Sequence, residues 1–340
     1  RERRVKMRST FTGLEKVPVN GGYREPDKWV WCGSAVEEHG NGYHLYASRW
    51  RKDYPMLAGY VLFSEIVHAF SKTVTGPYHF IEKILPTGNP EDWNGRMAHN
   101  PTVVKWKDKY LLYYIASTYA EEPPPPEIIQ QERPLADKVY ARIKIGVALA
   151  DSPGGPWHFL KEPVLDARRG CWDNGLVTNP APCILPDGRI YLYYRSNTPE
   201  GLRIGLAVAN SPEGPYMRIQ DEPVMKGISV EDPFVWHNGE NFEMLAKDMK
   251  GTLTGEVHAG AHFLSRDGIH WQVQGKAYSR SITYEDGRSV TLGSLERPQP
   301  LFGTDGIPKC LFAAAADGPG GFMKAADTWS IAIPLRDSQG

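Results

Sequence analysis

The sequence predicts an all-β fold: a five-bladed β-propeller of four-stranded antiparallel blades, with residues 1–340 forming one domain. Three observations predict it. One hairpin unit recurs five times along the chain, a second hairpin unit follows most of its copies, and the 3.6-residue periodicity of helices is nearly absent.

The first unit reads WVWCGSAVEEHGNGYHLYAS at 29–48 and MAHNPTVVKWKDKYLLYYIAS at 97–117. It recurs as LVTNPAPCILPDGRIYLYYRS at 176–196, SVEDPFVWHNGENFEMLAKDM at 229–249 and SLERPQPLFGTDGIPKCLFAA at 294–314. Each copy is a strand, a polar turn, and a strand rich in Tyr, Leu and Phe. The second unit is clearest in RIKIGVALADSPGGPWHFLKEPVL at 142–165 and LRIGLAVANSPEGPYMRIQDEPVM at 202–225. An alternating strand runs into a Ser-Pro-x-Gly-Pro turn, an aromatic residue and a second strand. Weaker copies stand at 61–85 and 256–279, the last with Arg-Asp-Gly as its hairpin turn. Two hairpins make a four-stranded blade, and the blades start near residues 29, 97, 176, 229 and 294. The stretch from Glu121 to Lys138, with Pro123 to Pro126, reads as an extended rim loop. The last blade offers only TWSIAIPL at 328–335, so an N-terminal strand near Arg4–Phe11 is expected to complete the ring. A β-sandwich is the rival, but it would not demand five similar units.

Composition narrows the function. Lys plus Arg (39) balances Asp plus Glu (40), which gives no electrostatic reason for a nucleic-acid or membrane partner. No apolar run approaches the roughly 20 residues of a membrane span. The chain opens Arg1-Glu2-Arg3-Arg4 with no apolar stretch behind it. The compartment stays open; the periplasm or the cell exterior is expected, with any leader already removed. Cys32, Cys171, Cys183 and Cys310 form no CxxC pair and read as small hydrophobes rather than zinc or redox groups. The 10 Trp and 17 Tyr suit the flat C–H faces of sugars, although most should fill the core.

The chemistry points to the blade entries. The innermost strand of each propeller blade lines the axis, so its entry turns converge there. Four entries carry a polar residue before Pro: His99-Asn100-Pro101, Thr178-Asn179-Pro180, Glu231-Asp232-Pro233 and Glu296-Arg297-Pro298. Asn and Asp before Pro also serve as turn chemistry, and for Asn100 and Asn179 the two readings balance. Asp232 and Glu296 are the catalytic candidates, because a glycosidase needs one carboxylic acid to protonate the leaving oxygen and one carboxylate to activate water or attack carbon. Asp27, ahead of the first blade, is the third candidate, with a solvated loop position as its alternative.

This pattern resembles the five-bladed glycosidases of glycoside hydrolase families 43 and 117, and more distantly 32, from about Lys28 to Leu335. The resemblance implies an exo-acting and inverting hydrolase. It implies Asp27 as base, Asp232 as the Asp that tunes pKa and orients substrate, and Glu296 as acid. The Asp-Pro expected in the first blade is missing; Cys32 or Gly33 falls there. Within GEVHAG, His258 is the alternative proton donor, or else a channel histidine or ion ligand.

Arg49, Arg96, Arg195 and Arg297 lie at or beside blade strands and could grip a carboxylate or sulfate, making the sugar acidic if two of them face the pocket. Ion pairs with the chain's own acids are the alternative. Trp31, Trp93 and Trp172 are candidate sugar platforms; Trp93 and Trp172 each precede a repeated Pro by eight residues, which equally fits a shared packing role. His99, Asn100 and Asn179 complete the expected substrate-binding set. The partner is therefore an oligo- or polysaccharide. No cofactor is required, and a structural ion in the central channel is open. Two rivals stand beside the hydrolase. A polysaccharide lyase would use His99 or His258 with the arginines against a uronate, and a non-catalytic sugar-binding propeller would need no convergent carboxylates.

Overall fold

The computed structural model describes residues 7–129 and 133–337. Five antiparallel sheets follow one another around an axis. Blade I comprises β1 (Lys28–Glu38), β2 (Gly42–Arg51), β3 (Glu65–Ser71) and β4 (His79–Leu85). Blade II comprises β5 (Met97–Trp106), β6 (Lys109–Ser117), β7 (Lys144–Ala150) and β8 (His158–Phe159). Blade III comprises β9 (Thr178–Ile184), β10 (Ile190–Thr198), β11 (Gly201–Ala209) and β12 (Met217–Arg218). Blade IV comprises β13 (Val230–His237), β14 (Phe242–Asp248), β15 (Gly260–Ser265) and β16 (Trp271–Tyr278). A small hairpin of β17 (Ser281–Thr283) and β18 (Ser289–Thr291) leads to blade V, which comprises β19 (Ser294–Phe302), β20 (Pro308–Ala316) and β21 (Thr328–Pro334). The five blade starts expected from the repeat fall within two residues of these strands.

The fourth place in blade V is filled from the N-terminal side. Leu14 bridges Leu335, and Tyr23 and Ser330 exchange backbone hydrogen bonds. The closing segment is thus residues 13–23, not the expected Arg4–Phe11. Residues 4–6 of that expectation lie outside the described residues. Thr10, also within it, is tied to blade IV instead, donating its backbone N–H and its hydroxyl to Glu243 at 2.7 and 2.6 Å.

The repeated residues have a common task. The Ser-Pro-Gly-Gly-Pro turn at 152–156 and the Ser-Pro-Glu-Gly-Pro turn at 211–215 both join the third strand of a blade to its fourth. The second-strand tyrosines reach these turns in the next blade. Tyr46 donates to the Pro153 carbonyl at 2.5 Å, Tyr193 to that of Gly268 at 2.7 Å, and the Tyr113 and Tyr216 hydroxyls meet at 2.6 Å. Each phenol body fills an inter-blade core while its hydroxyl ties the two blades. Trp93 and Trp172 stack on Tyr114 and Tyr194, with ring planes within 16° of parallel. The structure therefore gives both tryptophans the shared packing role.

Two short helices interrupt the β pattern. α1 (Met56–Phe63) lies between β2 and β3, and α2 (Arg133–Tyr140) between β6 and β7. They pack together through Tyr54, Val61, Leu62, Leu135 and Val139. The rim loop expected at 121–138 thus contains a 3₁₀ turn and most of α2, and α1 was not anticipated. The α1 sequence, MLAGYVLF, is apolar on every side, so it carries no helical stripe to read. In α2, Pro134 falls in the first turn, where it costs no helical hydrogen bond. Among the described residues no helix is long and apolar enough to cross a membrane.

Candidate active site

Every innermost strand breaks its ladder at one residue with a left-handed backbone. These are Cys32 (φ 52°), Asn100 (52°), Asn179 (52°), Asp232 (56°) and Arg297 (56°). Register shifts accompany them, between Trp31 and Ser34, His99 and Thr102, Glu231 and Phe234, and Glu296 and Gln299 on the innermost strands. Asn and Asp tolerate positive φ best, which accounts for blades II, III and IV. Cys32 and Arg297 hold the same conformation without that tolerance. The five residues form a ring at the axis, and the residues just before them (Trp31, His99, Thr178, Glu231 and Glu296) form a second ring. This alignment makes Glu231, not Asp232, the equivalent of Glu296.

A cavity of about 560 Å³ opens on these rings. Trp31, His99, Asn100, Asn179, Arg195, Asp232 and Glu296 line it, as expected. Glu231, Trp50, Tyr60, Tyr140 and Phe322 also line it, and sequence reasoning missed these. α1 and α2 roof the cavity from blades I and II.

Three carboxylates meet on one wall: Glu231, Asp232 and Glu296 each place an oxygen within 4.8 Å of the others. Lys247 serves them. Its Nζ lies 2.7 Å from Glu296 Oε2 and 3.3 Å from Glu231 Oε2, and the side chain is 3% exposed. It stands opposite Glu231 in the β13–β14 register, a pairing the repeat alignment could have suggested. Arg195 Nη1 lies 2.5 Å from the other oxygen of Glu231, and its Nη2 donates to the Tyr140 hydroxyl at 2.8 Å. Asn179 donates to Asp232 Oδ1, and the Arg297 backbone N–H donates to Oδ2 at 3.3 Å. The Arg297 guanidinium is buried below the pocket, 3.8 Å from Asp232, and reaches across the axis to Thr102.

These neighbours set the charges. Burial, with Glu231 beside it, pushes the Asp232 carboxyl up to about 7, against the pull of Arg297 and Lys247. Burial acts the same way on Glu231, but Arg195 and Lys247 outweigh it and hold that carboxyl below its ordinary value. Burial also opposes the charge on Lys247, yet Glu296, Glu231 and Asp232 keep the ammonium more tightly protonated than usual. Glu296, which the resemblance casts as the acid, is paired with Lys247, and the raised carboxyl stands at Asp232.

Several expected residues lie elsewhere. Asp27 is outside the cavity, its side chain 78% exposed and 3.6 Å from Lys28. It is not brought to the other carboxylates, because the turn before β1 leaves it on the surface. Arg49 is taken up by Glu25 and Glu65 at 2.6 and 2.8 Å, outside the cavity. Arg96 packs over the Tyr119 ring and does not line the cavity either. Arg195 alone of the four arginines faces the pocket, and it is committed to Glu231. The condition set for an acidic sugar, two of these four facing the pocket, is not met, although Arg133 of α2 also lines the cavity. His258 does not line the cavity; burial, then Lys247, holds its imidazole below the ordinary value. The carboxylate cluster is the one group of metal-ligand side chains found among the described residues. Its donor set does not fit a resident cation, since the Lys247 ammonium already occupies the space between Glu231 and Glu296.

No protein-family model and no curated protein matches the chain. Solved structures do. A family 117 glycoside hydrolase from the marine bacterium Zobellia galactanivorans is similar with a TM-score of 0.66 at 19% identity, over 96% of this chain and 88% of that one. A thermostable family-43 glycoside hydrolase is similar at 0.60 and 15% identity, over 94% of each chain. An endo-arabinase from Bacteroides thetaiotaomicron is similar at 0.58 and 12% identity, over 96% of this chain and 98% of that one. At these identities the likeness establishes the fold: the chain shares the five-bladed propeller of family 117 and family 43 glycoside hydrolases.

Proposed function

We propose that this protein is an exo-acting glycoside hydrolase that cleaves a terminal sugar. The observation that carries the reading is the meeting of Glu231, Asp232 and Glu296 on one wall of a roofed axial cavity. Asp232, with its carboxyl pushed up to about 7, is the group that holds a proton at neutral pH. Among the described residues its Oδ2 accepts only the long Arg297 N–H bond at 3.3 Å, which leaves that oxygen room to carry the proton. Asp232 gives the proton to the leaving glycosidic oxygen. Glu296, oriented by Lys247, opposes the positive charge that develops on the sugar ring. Glu231, held by Arg195 and Lys247, fixes the cluster. Trp31, Trp50 and Tyr60 offer apolar faces to the ring, and the roof of α1 and α2 favours a chain end over mid-chain cleavage.

The test compares Asp232→Asn with Glu296→Gln on oligosaccharides and on aryl glycosides with activated leaving groups. We expect Asp232→Asn to lose at least about 10²-fold in kcat on the natural linkage and much less on the aryl glycoside, whose leaving group needs no proton. Glu296→Gln should lose equally on both. The opposite pattern would return the acid role to Glu296, and full turnover by both variants would remove the cluster from the chemistry.

A further inference from the structure

A hydrolase of this kind that inverts configuration needs a base across the sugar from its acid, about 6.5–9.5 Å away with water between. The carboxylates cannot supply it, since all three crowd one wall within 4.8 Å. Asp27 is on the outer surface. The facing wall is built by blades I to III, whose ring positions hold Cys32, Asn100 and Asn179.

In a ring of five, blade II stands opposite the junction of blades IV and V. Its residue equivalent to Glu231 and Glu296 is His99. We infer that His99 is the general base: it accepts a proton from the attacking water on the face of the sugar opposite Asp232. This rests on the glycosidase reading and adds the residue that activates water.

Four observations support it. His99 lines the cavity and is 4% exposed. Its Nδ1 lies 2.8 Å from Ser64 Oγ, while among the described residues no protein group partners Nε2, so Nε2 is the nitrogen left to the cavity. Tyr60 and Trp50 pack on the ring at centroid distances of 4.4 and 5.4 Å and fix its plane. Burial, with Arg297 nearby, keeps the imidazole well below its ordinary value, hence neutral and able to accept. Ser64 is a positioning residue: its hydroxyl holds Nδ1, and in the tautomer protonated there it accepts Nδ1–H and leaves the Nε2 lone pair free. In the step, the water oxygen bonds to the anomeric carbon and its proton passes to Nε2. The glycosidic C–O bond breaks, and the leaving oxygen takes the proton of Asp232.

The test measures kcat, KM and product anomer for wild type, His99→Asn, Ser64→Ala, Asp137→Asn and Asp232→Asn. Asp137 is the one other carboxylate among the lining residues, and its side chain is 69% exposed. We expect an inverted product. His99→Asn should lose at least about 10²-fold in kcat with KM little changed, and azide should restore turnover as an inverted glycosyl azide. Ser64→Ala should move the acid limb of the kcat–pH profile. Asp137→Asn should retain kcat. A retained anomer, a rise in KM alone for His99→Asn, or loss on Asp137→Asn instead would each overturn the role of His99, while the loss on Asp232→Asn would leave the glycosidase reading standing. A wild type with no glycosidase turnover would overturn that reading itself.

Discussion

Lys247→Met isolates the charge balance of the site. Lys247 is buried between Glu296 at 2.7 Å and Glu231 at 3.3 Å, and Asp232 completes the cluster. Met keeps most of the volume and removes the ammonium. Two carboxylates then lose their shared counter-charge in a place water hardly reaches. Removing one partner of a buried ion pair costs about 3–5 kcal/mol, and the exposure of 3% gives no reason to discount it for solvent screening. The sign with pH follows. Without Lys247 the folded-state pKa of Glu231 rises from its depressed value, since Arg195 is left as the main opponent of its burial. The folded variant then binds more protons than the folded wild type, so its stability relative to wild type falls as pH rises through the carboxylate range. The cost should be near its full size at pH 8 and shrink towards pH 5. Urea unfolding of wild type and variant at both pH values measures it, and Glu296→Gln combined with Lys247→Met should recover part of the loss. A cost below about 1 kcal/mol at pH 8, or one that grows towards acid, would refute the charge balance described here.

Asp232→Asn removes a carboxyl whose folded value is about 7 and whose ordinary value is 3.8; the wild type alone should lose up to about 4 kcal/mol between pH 4 and 7, seen as a steeper fall of Tm than in the variant. Gly205→Ala would set a Cβ 2.4 Å from Tyr194 Cζ, whose hydroxyl is held by Asp173 at 2.8 Å, so chemical denaturation should show a loss of about 1–3 kcal/mol. Tyr140→Phe removes the hydroxyl that meets Arg195 and ties α2 to the cluster, so limited proteolysis should cut near α2 faster while the thermal midpoint moves little.

The ring of blades was legible because each repeat states its role locally. A Ser-Pro-x-Gly-Pro turn closes a blade, and a second-strand Tyr such as Tyr46 ties that turn to its neighbour. Asp232 and Glu296 were legible for the same reason, since Pro follows the left-handed position and marks the axis. Lys247 was not, because it stands on a second strand and meets Glu296 only through the packing of blades IV and V. The roof was hidden too: α1 has no polar face, and the prolines at 123–126 pointed to a loop. Asp27 was drawn in by its place just ahead of the first blade, and the resemblance then cast it as base, but Cys32 occupies the first-blade position where that resemblance calls for an acid. Cys32 and Arg297, at the left-handed ring positions, are where local rules fail, since neither residue tolerates positive φ as Asn and Asp do.

The central claim is that the carboxylate wall breaks glycosidic bonds by adding water. Products from a panel of plant and algal oligosaccharides, incubated with wild type and with Asp232→Asn, test it most directly. The account predicts release of saturated monosaccharide from one chain end by the wild type and its near-complete loss in the variant. An unsaturated, ultraviolet-absorbing product, or equal release by both proteins, would contradict it.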